Sequence, residues 1–255
     1  MVTPGRYVYG LIRIAEDLDY GCIGLEHDGK PGRVATLRID SVGAVVSDYA
    51  ARDKVLPVRK NLEPHHRGIR EVMKATTIIP MTFGHVAKNA AAVERTLREN
   101  RDEIEEELDR VDGKVEMGLK VQWDVDNIFE YFIGADPGLA ALRDEIFGRS
   151  RAPVPAEKIE LGRRFEQRLN QEREDQTDRV VEAFRPYFSE LKVNPPKNEK
   201  IVMDLAFLVE RGRLKPFEEQ VYQVAGLFPT QYLFDYGGPW APFNFAELDL
   251  RAAAA

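Results

Sequence analysis

Between Val115 and Asp124 apolar and polar residues alternate with a period of two, Val115, Met117, Leu119, Val121 and Trp123 on one side and Glu116, Lys120, Gln122 and Asp124 on the other. That pattern predicts a strand with one face on a core and one in water. RYVYGLIRIA (6–15) alternates well enough for another strand, and RVATLRID and SVGAVVSDYA predict two short strands joined tightly around Asp40 and Ser41. Helical spacing sets in at Asn61, which is placed to cap a helix, with Pro64 in its first turn and Ile69, Val72 and Met73 on one face. TTIIPMTFG (76–84) is β-branched at its start and broken by Pro80 and Gly84, as an edge or kinked strand would be. A single helix is predicted from about Asn89 to Arg110, its stripe formed by Val93, Leu97, Ile104, Leu108 and Val111, with Gly113 ending it.

After the alternating strand come two short helical segments, DNIFEYF with Asp126 placed to cap it and PGLAALRDEIF, then a long helix to about Phe188. The middle of that helix, NQEREDQTDR, has no apolar face and is expected to be solvated or to project from the body. ELKVN, KIVMDLAFLVER and TQYLFDYG read as strands, with a helix from about Pro216 to Leu227 burying Phe217, Val221, Val224 and Ala225. Residues 114–237 therefore run strand, helix, strand, strand, helix, strand, the order of a ferredoxin-like split βαβ sandwich. The fold class expected is α+β in two domains, an N-terminal α+β unit over 1–112 and a modified ferredoxin-like (βαββαβ) domain over 113–237, followed by an aromatic tail over 238–251 that packs back.

Composition narrows the function. With 44% apolar and 31% charged residues the chain is globular, and a net charge of -7 with no basic block argues against nucleic acid or anionic lipid as the main partner. The first twenty-five residues carry Arg6, Arg13, Glu16 and Asp17 without an apolar run, and MDLAFLV is far too short to span a bilayer, so a cytoplasmic location is expected. The lone Cys22 excludes an internal disulfide and reads as a plain thiol in or near the first domain's core.

Candidate chemistry is sparse. No Gly-rich phosphate loop follows a strand, and His27, His65, His66 and His85 form no metal-ligand spacing, so His65 and His66 read as surface or capping residues. The carboxylates lie in charge-mixed helices, and Phe129, Tyr131 and Phe132 read as core. Neither catalytic residues, a metal, a cofactor nor a small-molecule substrate is expected.

Four stretches in order, RYVYGLI, TIIPMTFGHV, VEMGLKVQWD and YGGPWAPFNF, resemble the segments that mark the gas vesicle protein F/L family (GvpF/GvpL), from about Tyr7 to Phe245. Pro80, Phe83 and Gly84 keep the family's Pro-x-x-Phe-Gly core, Met117 stands where Trp is common, and the chain departs from the pattern at His85 and over 168–179. The resemblance leaves F versus L open. It implies an accessory protein of gas vesicle formation that binds the very hydrophobic major structural protein GvpA, and possibly other minor gas vesicle proteins, and that is associated with the vesicle without being an enzyme. The rival expectation is a ferredoxin-like small-molecule-binding regulator or enzyme, since fold alone does not choose. On the family reading Arg13, Arg33 and Arg38 of the N-terminal domain are candidates for pairing with acidic residues of the subunit. Pro239 and Pro242 are expected to hold the tail extended, with Trp240, Phe243 and Phe245 inserted as anchors that clasp the first domain.

Overall fold

A computed structural model describes residues 5–50, 54–248 and 250. In chain order the first elements are β1 (Gly5–Arg13), β2 (Asp19–Gly21), β3 (Glu26–His27), β4 (Lys30–Pro31), β5 (Val34–Ile39), β6 (Val42–Tyr49), α1 (Arg59–Met73), β7 (Ile78–Pro80), β8 (Val86–Ala87), α2 (Ala90–Glu99) and α3 (Arg101–Val111). They are followed by β9 (Lys114–Trp123), α4 (Ile128–Ala135), α5 (Pro137–Phe147), α6 (Pro155–Phe184), β10 (Glu190–Asn194), β11 (Ile201–Glu210), α7 (Leu214–Ala225) and β12 (Tyr232–Trp240). The class is α+β, as the patterning predicts. Contacts divide the chain into two units: residues up to Glu116 with Leu208–Arg211 and the stretch from Gly238 onward, and Met117–Phe207 with Gly212–Gly237.

The first unit is built on β1. Its sheet runs β2-β5-β6-β1-β7, with β8 also pairing β1, and β1 meets β6 antiparallel with a bulge between Val8 and Gly10. The bulge leaves Tyr7 and Tyr9 on the side of α1, where the Tyr7 hydroxyl reaches His65 and the Tyr9 ring lies beneath Gly68. Val8 and Leu11 instead line one small cavity with Val93 and Leu97 of α2. Covered on both faces, β1 is buried almost throughout, which is why its alternation in sequence is weak. A Cβ at position 68 would stand 2.9 Å from the Tyr9 ring, so glycine is what lets α1 approach the sheet this closely.

Several expected boundaries move. Asn61 does not cap α1. Its amide donates to the Leu56 carbonyl at 3.0 Å, the helix starts at Arg59 after Val58, and Pro64 lies inside it. The single helix expected over 89–110 is two, broken at Asn100 (φ -117°, ψ 19°), whose side chain and backbone N–H both donate to the Thr96 carbonyl at 2.7 and 3.1 Å. The apolar stripe runs on through the break, so periodicity alone shows no interruption. Gly113 does end the second helix, with φ 67°.

In the second unit the sheet order is β10-β11-β9-β12, with the first and third strands of the motif in the centre, as in a ferredoxin-like sandwich. Phe184, Phe207 and Phe217 meet at centroid distances of 5.0–5.3 Å, and Trp123 packs edge-on to Phe132 at 5.3 Å. Asn127, not Asp126, caps α4 by accepting from the backbone of Phe129 and Glu130 at 2.9 and 3.1 Å. The polar middle of α6 is mostly solvated, as expected, but Arg173 turns to the sheet: it donates to the Ile201 carbonyl at 2.9 Å and its guanidinium lies over the Trp123 ring. Cys22 is exposed rather than near the core, because β2 is a three-residue edge strand that ends just before it.

Replacing Gly68 by Val should destabilise the first unit by about 1–3 kcal/mol, since the Tyr9 ring is fully buried and cannot yield. Thermal unfolding of Gly68→Val checks this; an unchanged midpoint would mean that α1 tolerates displacement from β1.

Candidate functional site

An open groove of about 530 Å³ in the first unit is lined by α1, the end of β12 and the chain after it, together with Glu116. Ile69, Met73, Trp240, Ala241 and Phe243 give it apolar walls, and Glu63, His66 and Arg70 stand along its α1 side. Positions 63, 66 and 70 share one face of a helix, so the sequence that buries Ile69 and Met73 also sets this polar rim.

The tail forms the opposite wall, and it does so folded. Phe245 and Ala246 donate backbone N–H groups to the Pro242 carbonyl at 3.1 and 2.8 Å, closing a turn where the two prolines predict an extended segment. Three side chains receive the tail's backbone. Glu116 accepts from the Asn244 N–H and side-chain amide, both at 2.7 Å; Glu107 accepts from the Glu247 N–H at 3.0 Å; and Arg110, itself bidentate on Glu107, donates to the Phe245 carbonyl. Burial tends to raise the Glu107 pKa, yet the bonds from Arg110 and the Glu247 amide hold it below the usual carboxylate range. Glu116, placed by its alternation on the wet face of β9, is buried because the tail covers it.

The tail aromatics thus separate. Phe245 is 5% exposed, whereas Trp240 and Phe243 are 45% and 39% exposed at the groove, Phe243 edge-on to His66 at 6.2 Å.

Between α1 and β1 lies a buried polar cluster that sequence reasoning missed. His65, 1% exposed, contacts the Tyr7 hydroxyl through Nδ1 at 2.8 Å, and the same hydroxyl accepts the Gly84 N–H at 3.2 Å. Tyr9 completes it, bonding Ser47 at 3.0 Å and accepting the Leu25 N–H at 2.9 Å. Burial, and secondarily the charge of His66, lower the His65 pKa to about 4, so the ring is neutral at pH 7. The available signal was Tyr7 and Tyr9 two apart on a strand, polar tips that need partners once buried.

The three arginines singled out in the sequence lie apart from this groove, each engaged internally. Arg13 donates to Asp109 at 2.8 Å, Arg33 pairs with Asp19, and Arg38 donates to the Asp40 carbonyl at 3.0 Å and lies 3.8 Å from Asp17. Among the described residues no group of three or more His, Cys, Asp or Glu is arranged to hold a metal ion, and no helix is long and apolar enough to cross a membrane.

Fold and site define a two-unit α+β protein with a ferredoxin-like sheet and an open apolar groove walled by its own tail. The family described as gas vesicle synthesis protein GvpL/GvpF matches residues 5–247. Among curated relatives, gas vesicle protein F1 of Halobacterium salinarum is 25% identical over 98% of this chain and 97% of its own, and gas vesicle protein L of a Streptomyces species is 27% identical over 95% and 93%. The crystal structure of the gas vesicle protein GvpF from Anabaena superposes with a TM-score of 0.83 at 24% identity, covering 97% of this chain and all of that one, and that of GvpF from Microcystis aeruginosa with 0.79 at 22%, covering 96% and 100%. The chain belongs to the GvpL/GvpF family of gas vesicle synthesis proteins. Relatives named F and a relative named L both match it along most of its length.

Two outcomes test the site. Phe245→Ala should cost about 3 kcal/mol, as expected for a buried Phe, and Trp240→Ala less than about 1 kcal/mol because its ring is half in water. Equal losses in denaturant titrations would contradict the division between them. His65 titrates lower folded than unfolded, so its neutral form contributes stability above the unfolded pKa of 6.5 that fades as pH falls toward about 4. The melting temperature should therefore drop between pH 7 and 5, and His65→Gln, which keeps an acceptor for Tyr7, should flatten that slope.

Proposed function

We propose that this chain is an accessory protein of gas vesicle assembly that binds the hydrophobic major structural protein GvpA, keeping it soluble or delivering it to the growing shell. On this reading it works in the cytoplasm and at the vesicle, and the first unit is the binding domain. Family membership supports the role in gas vesicle formation. The observation that carries the binding step is the groove: an open cavity of about 530 Å³ that leaves Trp240 and Phe243 substantially exposed in a chain whose other tryptophan is buried. Half-exposed aromatics beside an apolar floor of Ile69 and Met73 supply the kind of anchor that dominates binding energy at protein interfaces. The physical need is plain: an apolar subunit outside its wall exposes faces and edges that template aggregation, and a partner that covers them prevents it.

Co-expression of the full-length chain with GvpA, followed by affinity capture, tests this. Retention of GvpA is expected, with the doubly substituted Trp240→Ala, Phe243→Ser chain retaining at least about tenfold less, the loss typical of removing aromatic anchors. Full retention by the doubly substituted protein, at unchanged stability, removes the groove from the account.

A further inference from the structure

The acidic chain carries its apolar groove beside a cationic helix. Within α1 and its C-cap, Arg59, Lys60, Arg67, Arg70 and Lys74 stand against only Glu63 and Glu71, in a protein of net charge -7. Lys74 is occupied by Glu71 at 2.7 Å, and Arg67 donates to the Ile23 carbonyl at 3.2 Å. Arg59, Lys60 and Arg70 form no hydrogen bond or ion pair among the described residues, and all three are exposed. At 100° per residue, Arg59, Glu63, His66 and Arg70 fall on one stripe, next to Met73 and Ile69 on the groove side, with Lys60, Arg67 and Lys74 one row farther out. From Arg59 to Arg70 the stripe is about 16 Å long, three turns of helix.

We propose that the occupant of the groove is an amphipathic helix bearing acidic residues beside its apolar anchors, laid along α1 so that its carboxylates meet Arg59 and Arg70. This rests on the groove being the partner-binding site proposed above, and it adds the chemistry by which the partner is selected. An apolar groove alone accepts any apolar side chain. Cations along one rim make acceptance conditional on charge and orient the incoming helix, because each carboxylate that misses its arginine forfeits Coulomb attraction and one that meets Glu63 is repelled. The same face argues against the other occupants. A second copy of this chain would bring the cationic stripe of its own α1 against this one, and an anionic lipid surface would have to overcome the repulsion of the acidic whole.

Two labelled model peptides of identical leucine spacing, one with glutamate and one with lysine flanking the apolar face, decide it with the full-length protein. The glutamate peptide should bind at least about tenfold more tightly at ~0.05 M salt, with the gap narrowing at ~0.5 M as screening sets in. It should also shield Trp240 from acrylamide quenching, which reads Trp240 because Trp123 is 1% exposed. Arg59→Glu with Arg70→Glu should reverse the peptide preference while leaving the melting temperature in place, since neither side chain holds the fold. Equal affinity for the two peptides, a preference indifferent to the charge reversal, self-association through α1, or binding to phosphatidylserine vesicles in place of peptide would each overturn the proposal. If peptide preference switches as expected but GvpA is not retained by the unsubstituted chain, the preceding reading falls and this one stands. If GvpA is retained in a way that depends on Trp240 and ignores the charge reversal, the preceding reading stands and this one falls.

Discussion

Two buried carboxylates, Glu107 on α3 and Glu116 at the start of β9, set the terms for the first unit. A carboxylate withdrawn from water is costly unless its oxygens receive hydrogen bonds, and here much of that reception comes from one segment, the backbone and side chain of residues 244–247, with Arg110 closing the set. The tail is therefore held chiefly through its main chain, with Phe245 as the single deeply inserted ring. Its remaining aromatics are left at the surface, where they wall the groove. The other wall is fixed just as firmly, because Gly68 lets α1 settle on Tyr9 and brings His65 into contact with Tyr7.

The order of elements was legible because strands and helices here bury one face each, and periods of 2 and 3.6 survive even in mixed-charge segments. The strand order of the second unit follows from that sequence of elements and from the antiparallel preference of short connections. What stayed hidden has a common cause. The break at Asn100 leaves the apolar stripe in phase, the role of Arg173 depends on where its guanidinium lies, and the burial of Glu116 depends on a segment 128 residues away in the chain. None of these is a local property. His65 is the sharpest case: two adjacent histidines look alike on paper, yet one is buried against Tyr7 of β1 with a depressed pKa and the other stands at the groove.

The aromatic tail stands out in the sequence, but its aromatics divide the work differently from a uniform set of anchors. A turn at Pro242 rotates Phe243 outward and Phe245 inward, and only the folded chain reveals which ring goes which way. For a member of a family of gas vesicle synthesis proteins this division is informative, since rings needed for stability and rings available for recognition occupy one short segment. The exposed pair is then free of the packing constraint on the inserted ring. The arginines tell a complementary story: Arg13, Arg33 and Arg38 are consumed by nearby aspartates, whereas Arg59 and Arg70 on α1 are unengaged among the described residues.

The first unit's sheet begins and ends in stubs. β2 and β7, at the two ends of its main strand order, are three residues each, and β7 closes on Pro80, which has no N–H to offer. A strand needs several consecutive donors and acceptors before an incoming chain gains more than it loses in order. These margins supply too few. At the two ends of this strand order, therefore, the length of the outermost strands itself disfavours the addition of a further strand.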